Sequence, residues 1–283
     1  MKILDKFSVE KNIKLYRIVQ NIINPKIINE NKYNDYDLDG INVRVFDPSK
    51  SQKIIIYIHG GGWASGSIDT YSNICYKLAV DLNRKVIAID YRLAPEYPYP
   101  VGLSDCYKVI EMIMDNIDDW SEVSLIGDSA GGNLAFAVSL MGLYNKTFRV
   151  GNIVLIYPAT QTDYSVNTKF KSVLENDDES FLTRKHLEEY INMYLPNKKD
   201  RNDLYVNLLK AKRLFGLPKT MIITGTKDPL HDEGVYLAKK LKRHLVSVKH
   251  YDLENAKHGY FTNVLDKKYT KITIELIKGF IGD

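Results

Sequence analysis

Several features that would restrict the class of protein are scarce in this sequence. Only two of the 283 residues are cysteines, Cys75 and Cys106, which is too few for a disulfide framework. Both lie in stretches with helical spacing, so we expect them to be buried as small hydrophobic side chains. The longest strongly apolar run, Ile54–Ile58, is far shorter than the roughly 20 residues of a membrane span. The sequence therefore predicts neither a disulfide-rich nor a membrane-spanning protein.

An excess of charge of one sign is also lacking. Lys and Arg number 39 and Asp and Glu number 35, so the formal net charge is only +4 over the whole chain. Proteins that bind nucleic acids usually concentrate more positive charge than this, and we expect no nucleic-acid partner. Residues 1–16 carry charges throughout and have no apolar segment of the kind found in signal peptides. We therefore expect a soluble, cytoplasmic protein.

Strands and helices are predicted to alternate along most of the chain. The composition, 45% hydrophobic and 26% charged, is that of a globular protein. Short β-branched runs recur, and most stretches between them have helical spacing of apolar residues, which predicts an α/β fold with a mostly parallel central sheet flanked by helices. The predicted strands are 43–46, 53–59, 85–90, 123–127, 151–157, 219–225 and 246–253, and the predicted helices are 71–82, 103–117, 130–144 and 234–245.

Two regions interrupt this alternation. Residues 1–40 are predicted to form one amphipathic helix and a polar tail, and residues 160–215 are polar and helical without a predicted strand. The predicted organisation is an N-terminal cap segment (1–40), a core (41–159 and 216–283) and a cap insertion (160–215). Most aromatic residues of the two cap regions are expected in the cap core: Tyr33, Tyr36, Tyr164, Phe170, Phe181, Tyr190 and Tyr194.

A serine between glycines follows one predicted strand and precedes an apolar helix. Residues 127–131 read Gly-Asp-Ser-Ala-Gly, which matches G-x-S-x-G in the context that the pattern requires. The sharp turn exposes the serine, small neighbours let the backbone pass closely, and the helix N-terminus supplies free N–H groups. Ser129 is therefore the candidate nucleophile. The alternative is a glycine-rich turn whose serine only caps the helix.

A run of glycines follows an earlier predicted strand, in His59-Gly60-Gly61-Gly62-Trp63. Consecutive glycines let backbone N–H groups point into a cavity, and with the N–H of Ala130 they would form an oxyanion hole. The alternatives are a flexible turn and a phosphate loop, although the phosphate-loop pattern itself is missing. His59 is expected to anchor the loop, and Trp63 to line the acyl side of a substrate pocket.

A serine nucleophile needs a base, and six histidines are available. His258 follows the last predicted strand, which is where the chain order Ser, Asp or Glu, His places the base. His231 is the reserve candidate. His186 and His244 lie in charged helical stretches and are expected at the surface, and His250 is expected within a strand.

The acid that orients the base should precede it in the chain. Asp228 follows the predicted strand 219–225 at its carboxyl end, where its side chain can reach over the sheet. Asp232 and Asp252 are alternatives. Asp232 falls in the first turn of the next helix, where an acid stabilises the helix dipole, and Asp252 falls inside the last strand. Asp228 is therefore preferred.

Taken together, these motifs resemble the hormone-sensitive-lipase-like branch of the α/β-hydrolases, and its bacterial carboxylesterases in particular. The resemblance covers about residues 40–280 and implies a helical cap. It also implies a Ser129, Asp228 and His258 triad with an oxyanion hole formed by the N–H groups of Gly61, Gly62 and Ala130. The matching stretches, in the order of that family, are 59–63, 90–96, 127–133, 228–234 and 258–260.

The resemblance implies hydrolysis of a small-molecule carboxylic ester through an acyl-enzyme on Ser129, with no metal or organic cofactor and no membrane partner. Bulky aromatic residues near the nucleophile favour short acyl chains, acetyl to hexanoyl. An amidase or arylformamidase with the same triad is the main alternative. A non-catalytic receptor is less favoured because such receptors lack the triad histidine, and an interfacial lipase because residues 160–215 are strongly charged. The resemblance also allows a homodimer.

Overall fold

The computed structural model describes residues 8–26, 28–177, 182–263 and 267–282. Its strands are β1 (Asn34–Leu38), β2 (Ile41–Phe46), β3 (Ile54–Ile58), β4 (Lys85–Ile89), β5 (Val123–Asp128), β6 (Asn152–Ile156), β7 (Lys219–Lys227) and β8 (Val248–Lys257). They form one sheet in the spatial order β1-β2-β4-β3-β5-β6-β7-β8. β2 pairs antiparallel with both β1 and β4, and every other pair is parallel. The predicted α/β class with a mostly parallel sheet is confirmed.

The helices are α1 (Ile13–Ile23), α2 (Ser72–Asp81), α3 (Val101–Met114), α4 (Ala130–Asn145), α5 (Ser172–Glu175), α6 (Arg184–Tyr194), α7 (His231–Arg243) and α8 (Lys268–Ile281). Helices α3, α4 and α7 pack in the core on one face of the sheet, and α2 and α8 pack in the core on the other. Cys75 in α2 and Cys106 in α3 are free and buried, as predicted. In the described residues, no helix has both the length and the apolar character needed to cross a bilayer.

The central strands are buried on both faces, which explains their continuous apolar sequences. All five residues of β3 are buried. Successive side chains of a strand point to opposite faces, so Ile56 and Ile58 contact one core while Ile55 and Tyr57 contact the other. Helices on both faces of a sheet leave its carboxyl-end edge open for a site.

The predicted cap boundary at residue 40 is wrong in one respect. Residues 34–38 belong to the sheet as the edge strand β1, which pairs with β2. Four of its five side chains are exposed, so its sequence shows no apolar run. The rest of the division into cap and core stays a prediction. The predicted amphipathic helix is α1, and the described part of 160–215 contains α5 and α6 but no strand.

The aromatic residues assigned to the cap differ in their burial. Four of them are buried, namely Tyr164, Phe170, Tyr190 and Tyr194. Tyr33 is half-buried and packs edge-on against Phe46 of the core. Tyr36 is exposed on β1, and Phe181 lies outside the described residues. Burial of the first group agrees with an aromatic cap core.

Candidate active site

Three polar side chains meet at the carboxyl-end edge of the sheet. Ser129 directly follows β5, Asp228 directly follows β7, and His258 directly follows β8. His258 Nε2 lies 2.9 Å from Ser129 Oγ, and His258 Nδ1 lies 2.8 Å from Asp228 Oδ2. The carboxyl ends of parallel strands share one edge, so residues distant in the chain converge there. The structure therefore brings together the three residues that the sequence singled out.

Ser129 sits in a strained turn between β5 and α4. Its φ is 53° and its ψ is −121°, a conformation that non-glycine residues rarely adopt. A Cβ at Gly127 would lie 2.3 Å from the Gly131 carbonyl oxygen, and one at Gly131 would lie 2.1 Å from the Ile58 carbonyl oxygen. Only glycine fits at both positions, which explains the spacing of the motif and keeps the serine at the tip of the turn.

The geometry fixes the tautomer of His258. Asp228 is buried, and a carboxylate accepts but does not donate, so His258 Nδ1 donates to Asp228 Oδ2. His258 Nε2 is then left to accept from the Ser129 hydroxyl. The second oxygen of Asp228, Oδ1, accepts from the Leu230 amide at 2.8 Å, which holds the carboxylate in place.

The glycine run directly follows β3, which pairs with β5, the strand that precedes Ser129. Gly61 and Gly62 have φ of 114° and 62°, and a Cβ at Gly62 would lie 2.3 Å from the Tyr190 ring. Among the described residues, no acceptor binds the amides of Gly61 or Gly62. The Ala130 amide belongs to the first turn of α4, where N–H groups have no intrahelical acceptor. The three amides assigned to an oxyanion hole can therefore donate hydrogen bonds to an oxyanion.

His59 is buried beneath the glycine run. Its Nδ1 donates to the Gly60 carbonyl at 2.8 Å, and its ring stacks on Tyr91 at 4.3 Å. The Tyr91 hydroxyl donates to the His59 carbonyl at 2.9 Å. Burial lowers the pKa of His59 because it disfavours the charged form of the ring. These contacts support the proposed role of His59 as a loop anchor.

Trp63 closes the glycine run and packs on the cap. It is buried, and its ring stacks on Tyr194 of α6 with centroids 4.7 Å apart and an interplanar angle of 1°. Tyr190, one turn earlier on α6, covers Gly62. Aromatic residues of the cap therefore rest directly on the loop that carries the amides. Contact between Trp63 and an acyl chain stays a prediction.

Asp128 was not assigned a role from the sequence, although it lies inside the serine motif. It is buried, its Oδ1 accepts from the Gly60 amide at 3.0 Å, and its side chain also accepts from the hydroxyls of Tyr57 at 2.9 Å and Tyr71 at 3.1 Å. Burial raises the pKa of Asp128, and these donors oppose the rise. In the sequence, the only indication of a role was that this acidic residue directly precedes the proposed nucleophile.

Two residues of the predicted cap hold the loop that carries Asp228 in place, a role that the sequence does not indicate. Asn176 Nδ2 donates to the Asp228 carbonyl at 3.0 Å and to the Thr226 carbonyl at 3.3 Å. Ser172 Oγ donates to the Pro229 carbonyl at 2.8 Å. The cap and the acid loop are therefore joined by side-chain hydrogen bonds.

The alternative acids and bases have other partners. Asp232 lies in the first turn of α7, as predicted, and accepts from the Ser172 amide at 3.0 Å. Asp252 lies within β8, as predicted, 3.0 Å from His231 Nε2. His231 therefore pairs with Asp232 and Asp252 and not with Ser129.

The remaining three histidines were predicted to lie at the surface or within a strand. His186 is buried, and the prediction that it lies at the surface is wrong because it faces inward on the amphipathic helix α6. His244, which follows α7, is half-buried. His250 lies in β8, as predicted, and its Nε2 is 2.8 Å from Thr224 Oγ1.

Glu233 is a further buried acid near the site. Its Oε1 accepts from the Thr160 amide at 2.5 Å and from the Tyr164 hydroxyl at 3.3 Å. Burial raises the pKa of Glu233 to about 8, and the negative charge of Asp228 adds to the rise. Burial therefore favours the protonated form of this carboxyl.

Comparison with known proteins defines the class. A family model described as the alpha/beta hydrolase fold matches residues 55–262, and the chain belongs to this family. The carboxylesterase NlhH of Mycobacterium tuberculosis is 32% identical over 247 residues, which cover 83% of this chain and 76% of that protein. The arylesterase of Saccharolobus solfataricus is 32% identical over 217 residues, which cover 74% of this chain and 68% of that protein.

Solved structures of esterases have the same fold as this chain. EstE1, a thermophilic carboxylesterase cloned from a metagenomic library, superposes with a TM-score of 0.87 at 28% identity over 96% of both chains. A hyperthermophilic esterase from the archaeon Pyrobaculum calidifontis gives 0.85 at 27% identity over 98% of this chain and 93% of that one. The predicted resemblance to the hormone-sensitive-lipase-like branch and the predicted enzyme class, a carboxylesterase, are confirmed.

Proposed function

We propose that this enzyme hydrolyses carboxylic esters with short acyl chains, acetyl to hexanoyl, through an acyl-enzyme on Ser129. The observation that carries the proposal is the hydrogen-bonded chain from Asp228 through His258 to Ser129, with links of 2.8 and 2.9 Å. Such a chain lets an imidazole take the serine proton at neutral pH. A cytoplasmic location and a homodimer stay predictions.

In the first half of the reaction, Ser129 Oγ attacks the ester carbonyl carbon while His258 Nε2 takes its proton. Asp228 accepts from Nδ1–H and stabilises the imidazolium without taking the proton itself. The carbonyl oxygen becomes an oxyanion, which the amides of Gly61, Gly62 and Ala130 would bind. One such donor typically stabilises the transition state by about 3–4 kcal/mol.

In the second half, the tetrahedral intermediate collapses and His258 gives its proton to the departing alcohol. The acyl group remains on Ser129 Oγ. A water molecule then attacks the acyl carbon, and His258 Nε2 removes the water proton as general base. Collapse of the second intermediate returns the proton to Ser129 and releases the acid, so the enzyme regains its starting state.

The preference for short acyl chains is supported by the packing around the glycine run. Trp63 is stacked on Tyr194, and Tyr190 lies against Gly62, so rigid aromatic rings bound the space beside the amides. We expect a wall of this kind to limit the acyl chain. An amide or arylformamide substrate would use the same triad, and the esterase assignment is preferred because the relatives above are esterases.

The test is hydrolysis of p-nitrophenyl esters from acetate to palmitate by the wild type, Ser129→Ala and Ser104→Ala. Ser104 is exposed on α3 and serves as the matched control. We expect activity that peaks at short chains, a loss of about 10⁵–10⁶-fold in Ser129→Ala, and wild-type rates in Ser104→Ala. A folded wild type that is inactive on every ester would refute the proposal, and turnover of p-nitroacetanilide alone would favour the amidase.

A further inference from the structure

The ring of Tyr190, on helix α6 of the predicted cap, covers Gly62, one of the glycines proposed for the oxyanion hole. A Cβ on Gly62 would overlap three carbons of this ring, the farthest of them 2.7 Å away. No real Cβ lies so close to other atoms, so the ring rests directly against the Gly62 α-carbon. Position 62 therefore requires glycine both for its φ of 62° and for the ring above it.

The peptide unit between Gly61 and Gly62 is held at its carbonyl end by a tight turn. The Gly61 carbonyl accepts from the Ala64 amide at 3.2 Å, from the Ser65 amide at 2.9 Å and from Ser65 Oγ at 2.8 Å. A trans peptide is planar and its N–H points away from its C=O, so these bonds direct the Gly62 N–H away from the turn. The α-carbon of Gly62 is the other end of this unit, and glycine alone would leave it free to rotate. The Tyr190 ring occupies the space into which it would move.

The amide of Gly61 is supported by the core instead. It shares a peptide unit with the Gly60 carbonyl, which accepts from His59 Nδ1 at 2.8 Å. His59 is buried, and its ring stacks on that of Tyr91. The two neighbouring amides are therefore held from different sides, that of Gly61 by the core and that of Gly62 by the predicted cap.

Tyr190 is fixed in turn by the N-terminal segment. It is buried, and the ring of Tyr16 on α1 packs edge-on against it, with centroids 6.4 Å apart and an interplanar angle of 70°. Glu189, the residue before Tyr190, accepts from the Val9 amide through Oε2 at 2.7 Å. Both predicted cap segments therefore contribute to the position of the ring on Gly62.

We propose that Tyr190 is a positioning residue whose ring holds the Gly62 peptide unit, so that the Gly62 N–H donates to the oxyanion formed at Ser129. The inference rests on the ester hydrolysis and the oxyanion hole proposed above. A donor to the oxyanion acts where negative charge develops in the transition state, and it contributes little to binding of the ester itself. Loss of the ring should therefore lower kcat and leave KM almost unchanged.

The test is steady-state hydrolysis of p-nitrophenyl acetate by the wild type, Tyr190→Ala, Tyr190→Phe and Leu187→Ala. Removal of an oxyanion donor costs about 10²–10³-fold in kcat, and a misplaced donor costs less, so we expect Tyr190→Ala to lower kcat by about 10–10²-fold. Tyr190→Phe keeps the ring and should retain most of the wild-type kcat. Leu187 is buried on the same helix, so Leu187→Ala loosens α6 without removing the ring and should also retain it.

A transition-state analogue separates loss of the oxyanion donor from general destabilisation. A trifluoromethyl ketone with a short alkyl chain adds to the serine hydroxyl and carries the negative oxygen of the tetrahedral intermediate. Its inhibition constant should rise in Tyr190→Ala by the same factor by which kcat/KM falls. If Tyr190→Ala does not fold, Tyr190→Leu, which keeps apolar volume without a flat ring, takes its place in both measurements.

A wild-type kcat in the variant that lacks the ring, a rise in KM alone, or an unchanged inhibition constant would overturn the inference. Equal losses in Tyr190→Phe or Leu187→Ala would do the same, because the hydroxyl or the stability of α6 would then control the rate. In all of these cases the wild type still hydrolyses p-nitrophenyl acetate, and the proposed function stands. A folded wild type that does not hydrolyse this ester would remove the proposed function and the role of Tyr190 together.

Discussion

Asp128 Oδ1 accepts a hydrogen bond from the Gly60 amide at 3.0 Å. The side chain that directly precedes Ser129 therefore holds the loop that carries the glycines proposed for the oxyanion hole. The hydroxyl of Tyr57 donates to the same oxygen at 2.9 Å, and that of Tyr71 donates to Oδ2 at 3.1 Å. One buried carboxylate thus sets the spacing between the nucleophile and the amides proposed to stabilise the oxyanion.

We predict that Asp128→Asn lowers kcat by about 10²-fold with little change in KM. The neutral asparagine accepts more weakly than a carboxylate from the Gly60 amide and the Tyr57 hydroxyl, and its NH₂ group replaces the oxygen that accepts from Tyr71, so the loop is held less firmly and a proposed oxyanion donor is misplaced. Steady-state kinetics on p-nitrophenyl acetate measures both parameters. Because the carboxylate is buried, thermal unfolding should be recorded in parallel to verify that the variant is folded.

Tyr71→Phe provides a graded companion to this variant. It removes one donor to Asp128 but leaves those of Gly60 and Tyr57. We expect a drop in kcat of only a few fold. If Tyr71→Phe lowers kcat as much as Asp128→Asn does, general destabilisation of the protein, rather than the position of Gly60, controls the rate.

The cap residue Asn176 gives a second prediction. Its Nδ2 binds the carbonyls of Asp228 and Thr226, so Asn176→Ala leaves both acceptors without this donor. We expect the free energy of unfolding to fall by about 1–3 kcal/mol and kcat to fall several-fold. Urea denaturation and kinetics test these effects. Asn167→Ala, at an exposed cap position, should match the wild type, and an unchanged kcat in Asn176→Ala would contradict the proposed support of the acid loop.

A third prediction concerns the attachment of α1. Arg17 donates to the carbonyls of Ala64 at 2.8 Å and Ala94 at 2.7 Å and forms a two-pronged ion pair with Glu96. Hydrogen bonding to Arg17 lowers the pKa of Glu96. Arg17→Gln should loosen α1 and raise KM more than it changes kcat, because Arg17 joins α1 to Ala64, which directly follows Trp63 on the loop proposed to line the substrate pocket.

Limited proteolysis provides an independent readout for this helix. Cleavage within α1 should be faster in Arg17→Gln than in the wild type, whereas Lys14→Gln, at an exposed position, should behave like the wild type. Identical cleavage rates in all three proteins would mean that Arg17 does not hold α1 in place.

The sequence predicted those parts of the molecule that local chemistry determines. The turn around Ser129 needs glycines at fixed offsets, and Asp228 and His258 were preferred because they follow predicted strands in the chain order that such a triad requires. The edge strand β1 was missed because its exposed side chains have no apolar pattern, and the pattern of α6 was too charged to indicate that His186 is buried. Partners such as Asp128 with Gly60, 68 positions apart, depend on the folded backbone and leave no local signal.

A fourth prediction concerns pH. Burial raises the pKa of Glu233 from 4.5 to about 8, so between these values the folded protein keeps a proton that the unfolded chain has released. The unfolded state binds fewer protons in this window, and this group therefore lowers the free energy of unfolding as pH rises from 4.5 to 8. The slope is about 1.4 kcal/mol per pH unit, and it ends above pH 8, where Glu233 is ionised in both states.

Glu233→Gln retains the shape of the protonated acid but cannot ionise. The variant should unfold with a free energy similar to that of the wild type near pH 5, and should become progressively more stable than the wild type up to about pH 8. Urea denaturation at intervals across this range measures the difference, and Glu254→Gln, at an exposed position of β8, should follow the wild type throughout. A difference between Glu233→Gln and wild type that is independent of pH would mean that Glu233 is ionised in the fold, with its charge balanced by the donors of Thr160 and Tyr164.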